Sequence, residues 1–200
     1  NGHVKIVDFG LAKAGVYDPL TGAKSFVGTT EYLSPEMLRK RGHGLAVDWW
    51  AIGMVLYEMI AGLPPWYCED KAEVVNGIMH KPLRFHERIS RPARDVLERL
   101  LQRDPNRRLG TRGVLEVKQH PYFSSIDWRH LSNRRLKPPF IPRLDHQYDT
   151  SFFDESFTDL PVHLNENISP AEQNMINKAS GDHLFDNFQP SKKITCNSVF

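Results

Sequence analysis

Apolar residues are densest between Val47 and Leu63, where Asp48 and Glu58 interrupt them and Gly62-Leu63-Pro64-Pro65 follows as a stop. This run predicts a buried helix from Val47 to about Ala61, since it is too short and too charged to span a membrane. Residues 72–80 and 92–102 carry apolar side chains at helical spacing. In the second segment Val96, Leu97, Leu100 and Leu101 fall on one face, and Asp104-Pro105 ends it. Val114 to Gln119 predicts one more short helix. Near the start, Gly2-His3-Val4-Lys5-Ile6-Val7-Asp8 alternates apolar with polar and predicts a short strand. Gly10 to Lys24, with Gly15, Asp18, Pro19 and Gly22, predicts a loop. A loop of that length inside a domain is functional or disordered. Beyond Phe123 the pattern dissolves. Pro138-Pro139, Pro142, Pro161 and Pro170 punctuate a polar stretch with scattered phenylalanines, which predicts an extended strap with no core of its own.

Composition adds boundaries to this picture. Two hundred residues, 40% of them hydrophobic, suffice for one domain with a real core. The net charge of +2 comes from basic residues interleaved with acids, which argues against a nucleic-acid partner. The densest basic run, Arg103 to Arg112, reads as a solvated helix end. Cys68 and Cys196 lie far apart and match no metal spacing. With no signal peptide in view, reduced thiols in a cytoplasmic or nuclear protein are the expectation. The chain opens at Asn1-Gly2, without methionine and in mid-pattern, so a fragment of a longer protein is expected.

Chemistry enters at Asp8-Phe9-Gly10, directly after the predicted strand. A carboxylate at a strand end, followed by a glycine hinge, can hold Mg²⁺ against ATP phosphates. Three further groups follow in order: Ser34-Pro35-Glu36, Asp48-Trp49-Trp50-Ala51-Ile52-Gly53, and Arg108. Their order and spacing resemble the C-lobe of a protein kinase, from the Mg²⁺-binding segment onward. Between them, Ser25-Phe26-Val27-Gly28-Thr29-Thr30-Glu31-Tyr32 resembles the activation segment of the AGC group, with Val27 and Thr30 departing from that group's Cys and Pro. In the tail, Pro138-Pro139-Phe140-Ile141-Pro142 and Asp149-Thr150-Ser151-Phe152-Phe153-Asp154-Glu155-Ser156-Phe157-Thr158 resemble the AGC C-terminal extension. That extension is most similar to those of protein kinase B and the serum/glucocorticoid-regulated kinases.

The resemblance implies a mainly α fold: a partial kinase C-lobe over 1–123, with N-lobe and catalytic loop missing, then an AGC extension over 124–200. It implies a serine/threonine kinase using ATP and Mg²⁺, with Asp8 as the metal ligand. Glu36 and Arg108 would form a buried ion pair, and Asp48 would receive hydrogen bonds from the catalytic-loop backbone or simply cap its helix. Ser25 becomes the activation-loop phosphate acceptor, and Thr29 a support for the catalytic aspartate. Glu58 and Glu31 become acids that receive arginines of a basic peptide substrate; an ordinary helix-surface acid is the alternative for Glu58. Phe153 stands where a tail aromatic reaches the adenine pocket, or merely pins the strap to the lobe. Ser169-Pro170 resembles the turn-motif phosphosite. Phe185-Asp186-Asn187-Phe188 matches a hydrophobic docking motif, but Gln189-Pro190 replaces its Ser/Thr-aromatic pair, so docking by the rings without phosphorylation is expected.

Implied partners are protein substrates and an upstream activating kinase of the phosphoinositide-dependent type, with neither nucleic acid nor a membrane span. The 200 residues hold no glycine-rich loop, ATP-binding lysine, αC glutamate or His-Arg-Asp segment, so by themselves they are expected to be inactive and to expose apolar surface. A non-enzymatic module that binds an upstream kinase through Phe185 and Phe188 is the alternative. The intact Asp8 weighs against it. A helical partner-binding domain with chance motifs is a third, remote reading.

Overall fold

The computed structural model describes residues 2–87, 89–146 and 148–160. They divide into two units at Pro142, the second holding the described residues from Arg143 on. In the first unit the short helix α1 (Pro35–Leu38) precedes the long α2 (Ala46–Ala61), α3 (Lys71–His80) and α4 (Arg91–Leu100). Two short helices, α5 (Val114–Lys118) and α6 (Trp128–Ser132), complete it. Single 3-10 turns at Thr30–Tyr32, Pro105–Arg107 and Pro121–Phe123 link these elements.

Local chemistry sets the boundaries. Asp70 caps α3 by accepting the Ala72 N–H at 2.8 Å, and Ser90 caps α4 by accepting that of Ala93 at 3.3 Å. α2 ends where Gly62 turns left-handed (φ +87°) and returns its N–H to the Glu58 carbonyl at 2.7 Å. α2 is the hub. One of its flanks joins Trp50 and Met54 to Val74 and Ile78 of α3, and Val96, Leu97 and Leu100 of α4 form a second cluster against Trp49, Leu56 and Tyr57. Burying each such side chain is worth roughly 1.5–3 kcal/mol. Gly53 makes the approach of α4 possible, because a Cβ there would lie 2.9 Å from both Leu100 Cβ and Leu101 Cδ2.

Two expectations change. Gly2 to Asp8 is not a strand, and Val4 (96% exposed) and Ile6 (83%) face solvent. An alternating pattern yields a strand only when a neighbour takes its backbone hydrogen bonds, and no described residue does so here. The segment after Phe123 is also not uniformly extended. Asp127 caps α6 by accepting the His130 N–H at 2.9 Å, and Trp128 donates its indole N–H to the Lys118 carbonyl at 3.1 Å. Phe123 meets the Trp128 ring edge-on at 5.9 Å. One aromatic anchor therefore fixes a segment too short to show periodicity.

In the second unit, α7 (Glu155–Thr158) is capped by Asp154, which accepts the Ser156 N–H at 2.9 Å. Phe152, Phe153, Phe157 and Leu160 are all exposed there. No helix among the described residues is long and apolar enough to cross a membrane.

Replacing Gly53 with valine is expected to force α2 and α4 apart and to cost at least about 1–3 kcal/mol. A lowered midpoint in denaturant unfolding, with α4 losing amide-exchange protection first, would register it. An unchanged midpoint would mean that the helices are not in close contact.

Candidate functional site

Ser34, Pro35 and Glu36 are buried where the chain enters α1. Arg108, 72 residues later, reaches Glu36 with both guanidinium nitrogens: Nη1 donates to Oε1 at 2.6 Å and Nη2 to Oε2 at 2.8 Å. Nη1 also donates to the Ala46 carbonyl at 2.7 Å and Nε to that of Gln102 at 3.0 Å. The pair is nearly dry, with side chains 0% and 11% exposed for Arg108 and Glu36. The Arg108 guanidinium also covers the Trp50 ring at 5.2 Å. Trp50 stacks on Trp66 (6.3 Å, 10°), and the Arg103 guanidinium lies over the Trp66 ring at 5.4 Å. The ion pair is thus linked to Arg103 through a chain of ring contacts.

The loop between Gly10 and Lys24 is ordered by its own polar groups. Asp18 accepts the N–H groups of Leu20 and Thr21, both at 2.8 Å, and these bonds hold its carboxyl below the usual aspartate range. The Asp18 and Pro19 carbonyls accept the N–H groups of Leu45 and Ala46, tying the loop to the start of α2. Ala23 and His43 exchange both backbone hydrogen bonds, at 3.0 and 2.9 Å, as an isolated antiparallel bridge.

Beside these ties lies a half-open cavity of about 370 Å³. Lys13, Ser25, Thr29, His43 and Asp48 line it. Three of the sequence candidates, Ser25, Thr29 and Asp48, are therefore brought to one place. Burial pushes the Asp48 carboxyl above the usual aspartate value, and His43 counteracts it. Lys13 and His43 were not singled out in the sequence. Nothing in their local pattern marks them: His43 is set beside the Ser25 segment by its bridge to Ala23, and Lys13 enters only as part of the cavity lining.

Asp8 lies just before this loop, exposed, with a left-handed backbone (φ +59°) that non-glycine residues seldom adopt. Its Oδ1 accepts the Gly10 N–H at 3.2 Å, and its second oxygen accepts no hydrogen bond from a described residue. Mg²⁺ is commonly held by one or two carboxylates together with substrate phosphates and water, and Asp8 fits that donor set as one ligand.

Glu58, at the far end of α2, is half-buried and accepts the Tyr32 hydroxyl at 2.6 Å. Its hydrogen bond, helped by burial and by the Glu58 and Glu31 charges, raises the Tyr32 phenol above its ordinary value. Glu31 and Glu58 thus bear on one tyrosine, a residue that the sequence alone did not nominate. Phe153 is exposed, in the second unit. Ser169, Phe185 and Phe188 lie outside the described residues.

A family model described as "Protein kinase domain" matches residues 1–123. A RAC family serine/threonine-protein kinase homolog of Dictyostelium discoideum is 47% identical over 158 residues, covering 79% of this chain and 35% of that protein. The serine/threonine-protein kinase Sgk1-B of Xenopus laevis is 44% identical over 162 residues, 80% of this chain and 37% of its own. YPK1 of Saccharomyces cerevisiae, also a serine/threonine-protein kinase, is 45% identical over 157 residues, 78% of this chain and 23% of its own. The chain spans well under half the length of these relatives.

Deleting one partner of the buried ion pair leaves an uncompensated charge. Arg108→Ala is expected to destabilise the protein by about 3–5 kcal/mol, and the double variant Glu36→Leu/Arg108→Met to recover most of that loss. Urea unfolding of the single and double variants checks this; equal losses in both would show that shape, not the stranded charge, matters.

Proposed function

Because the chain belongs to the protein kinase family, in its AGC group, we propose that it is the substrate-facing and regulatory part of a serine/threonine kinase. The reaction would be transfer of the ATP γ-phosphate to serine or threonine in basic peptide contexts. The observation that carries this reading is the gathering of Ser25, Thr29 and Asp48 around one cavity, next to a segment locked by Glu36 and Arg108. Catalysis of this class rests on positioning and electrostatics, so a preformed frame matters more than any covalent step.

Asp8 would hold the metal with its free carboxylate oxygen. When bound, Mg²⁺ neutralises charge on the ATP phosphates. Thr29 would steady the catalytic aspartate, and Asp48 the backbone around it. Glu58, oriented by the Tyr32 hydroxyl, would pair with a substrate arginine through its remaining lone pairs, and Glu31 with a more distant one. Phosphorylation of Ser25 by an upstream kinase of the phosphoinositide-dependent type would add roughly −1.5 to −2 charges. That charge would tighten the activation segment. Phe153 would approach the adenine, Ser169 would carry a second phosphate, and Phe185 with Phe188 would dock the tail.

Residues 1–200 contain no His-Arg-Asp segment. By themselves they are expected to show no Mg²⁺-dependent phosphate transfer, and radiolabelled ATP assays with a basic peptide test this directly. In the longest protein that carries this sequence, Asp8→Asn is expected to abolish transfer; retained activity there would sink the metal-ligand assignment. Glu58→Ala should lower kcat/KM for an arginine-containing peptide by about tenfold or more relative to its arginine-free counterpart, as loss of one charged hydrogen bond implies. Tyr32→Phe should give a smaller change in the same direction. Equal effects of Glu58→Ala on both peptides would leave Glu58 as a surface acid.

A further inference from the structure

We propose that His43 is a phosphate-binding cation for Ser25, so that the phosphorylated activation segment is held by a titratable partner in the core of the lobe. The inference rests on Ser25 being the phosphate acceptor, as proposed above. Its basis is the bridge between Ala23 and His43, whose two backbone hydrogen bonds fix the register of the facing segments. Ser25 lies two residues beyond Ala23, on the segment that the bridge holds beside His43. The serine side chain is short. A phosphoryl group on its oxygen lengthens it and supplies strong acceptors.

Both residues line the same cavity, together with Lys13. His43 is buried (7% exposed), whereas Ser25 is exposed and open to a modifying enzyme. The charged groups that act on His43 come from each element packed around it: Glu36 of α1, Lys13 of the loop and Asp48 of α2. Burial pushes the imidazole below its ordinary value; Glu36 and Asp48 pull it up and Lys13 pushes it down. Without phosphate the imidazole is therefore biased toward its neutral form. A dianion across the bridge reverses that bias, because a charge-assisted hydrogen bond forms only with the protonated ring.

A consequence is that phosphate and proton bind His43 and Ser25 cooperatively, and that the hold on the segment weakens as pH rises through the His43 titration. Lys13 lines the same cavity and offers the phosphate a second cation.

The test follows the imidazole itself. Phosphoserine is placed at position 25 by codon reassignment in the full protein, and histidine ring signals are followed by NMR against pH. The His43 signal is identified by its loss in His43→Gln, or in His43→Tyr should the first variant not fold. The expected result is a His43 midpoint higher by about one pH unit or more with phosphoserine than with serine. The ³¹P midpoint of the phosphate should lie lower in wild type than in the His43 variant. An unchanged His43 midpoint overturns the proposal. Because phosphoserine is installed without any kinase, failure of the proposed regulation shows separately, as absence of Ser25 phosphate by mass spectrometry of the cellular protein.

Discussion

The bidentate bond between Arg108 and Glu36 joins parts of the chain that lie 72 residues apart. Arg108 touches α1 through Glu36, the start of α2 through the Ala46 carbonyl, the end of α4 through that of Gln102, and the core through Trp50. A dry ion pair gains little over an apolar packing of the same shape, because desolvation consumes most of the attraction. What it adds is direction. Two parallel N–H···O bonds admit one orientation of α1, and α1 carries the end of the activation segment. The Tyr32–Glu58 contact and the Ala23–His43 bridge flank α1 on either side along the chain.

Two kinds of order meet at this anchor. Behind it lies a core of α2, α3 and α4, made of branched and aromatic side chains with exposure near zero. In front of it lies a loop whose order comes from hydrogen bonds at Asp18, Ala23 and His43 and whose apolar side chains, such as Phe9, Leu11 and Tyr17, face solvent. The core is stable through area. The loop is stable through a few directional bonds, and each of those can be broken or made by a single charge. This division leaves a frame that is costly to move behind a front that is easily rearranged.

How much of this was legible in the sequence follows from the range of the forces. The helices from Ala46 and Arg91 announce themselves because their apolar spacing and their stops, Gly62 and Asp104-Pro105, lie within one window. The motif residues Asp8, Glu36, Asp48 and Arg108 were legible by resemblance, and the structure supplies for Glu36 and Arg108 a geometry that spacing alone could not. The segment 2–8 misled because alternation specifies a strand's faces without specifying its partner. Tyr32 and His43 were invisible, since the bond to Glu58 and the bridge to Ala23 join residues far apart in the sequence. α6 was missed for a simpler reason: Trp128 fixes it by one indole bond and one ring contact, with too few residues for a period.

The 72-residue separation between Glu36 and Arg108 also orders events in time. A ribosome delivers the activation segment first, and α1 has no mate until Arg108 has left the exit tunnel. During that interval Glu36 is a solvated carboxylate, and the cavity walls are not yet assembled. Closure of so long a loop is entropically costly before the α2–α4 core has formed to shorten it. The frame that aligns the front of the lobe is thus the last to be fastened. A nascent chain stalled before Arg108 would therefore carry the segment around Ser25 as part of an unfolded peptide, lacking the partner that later locks α1.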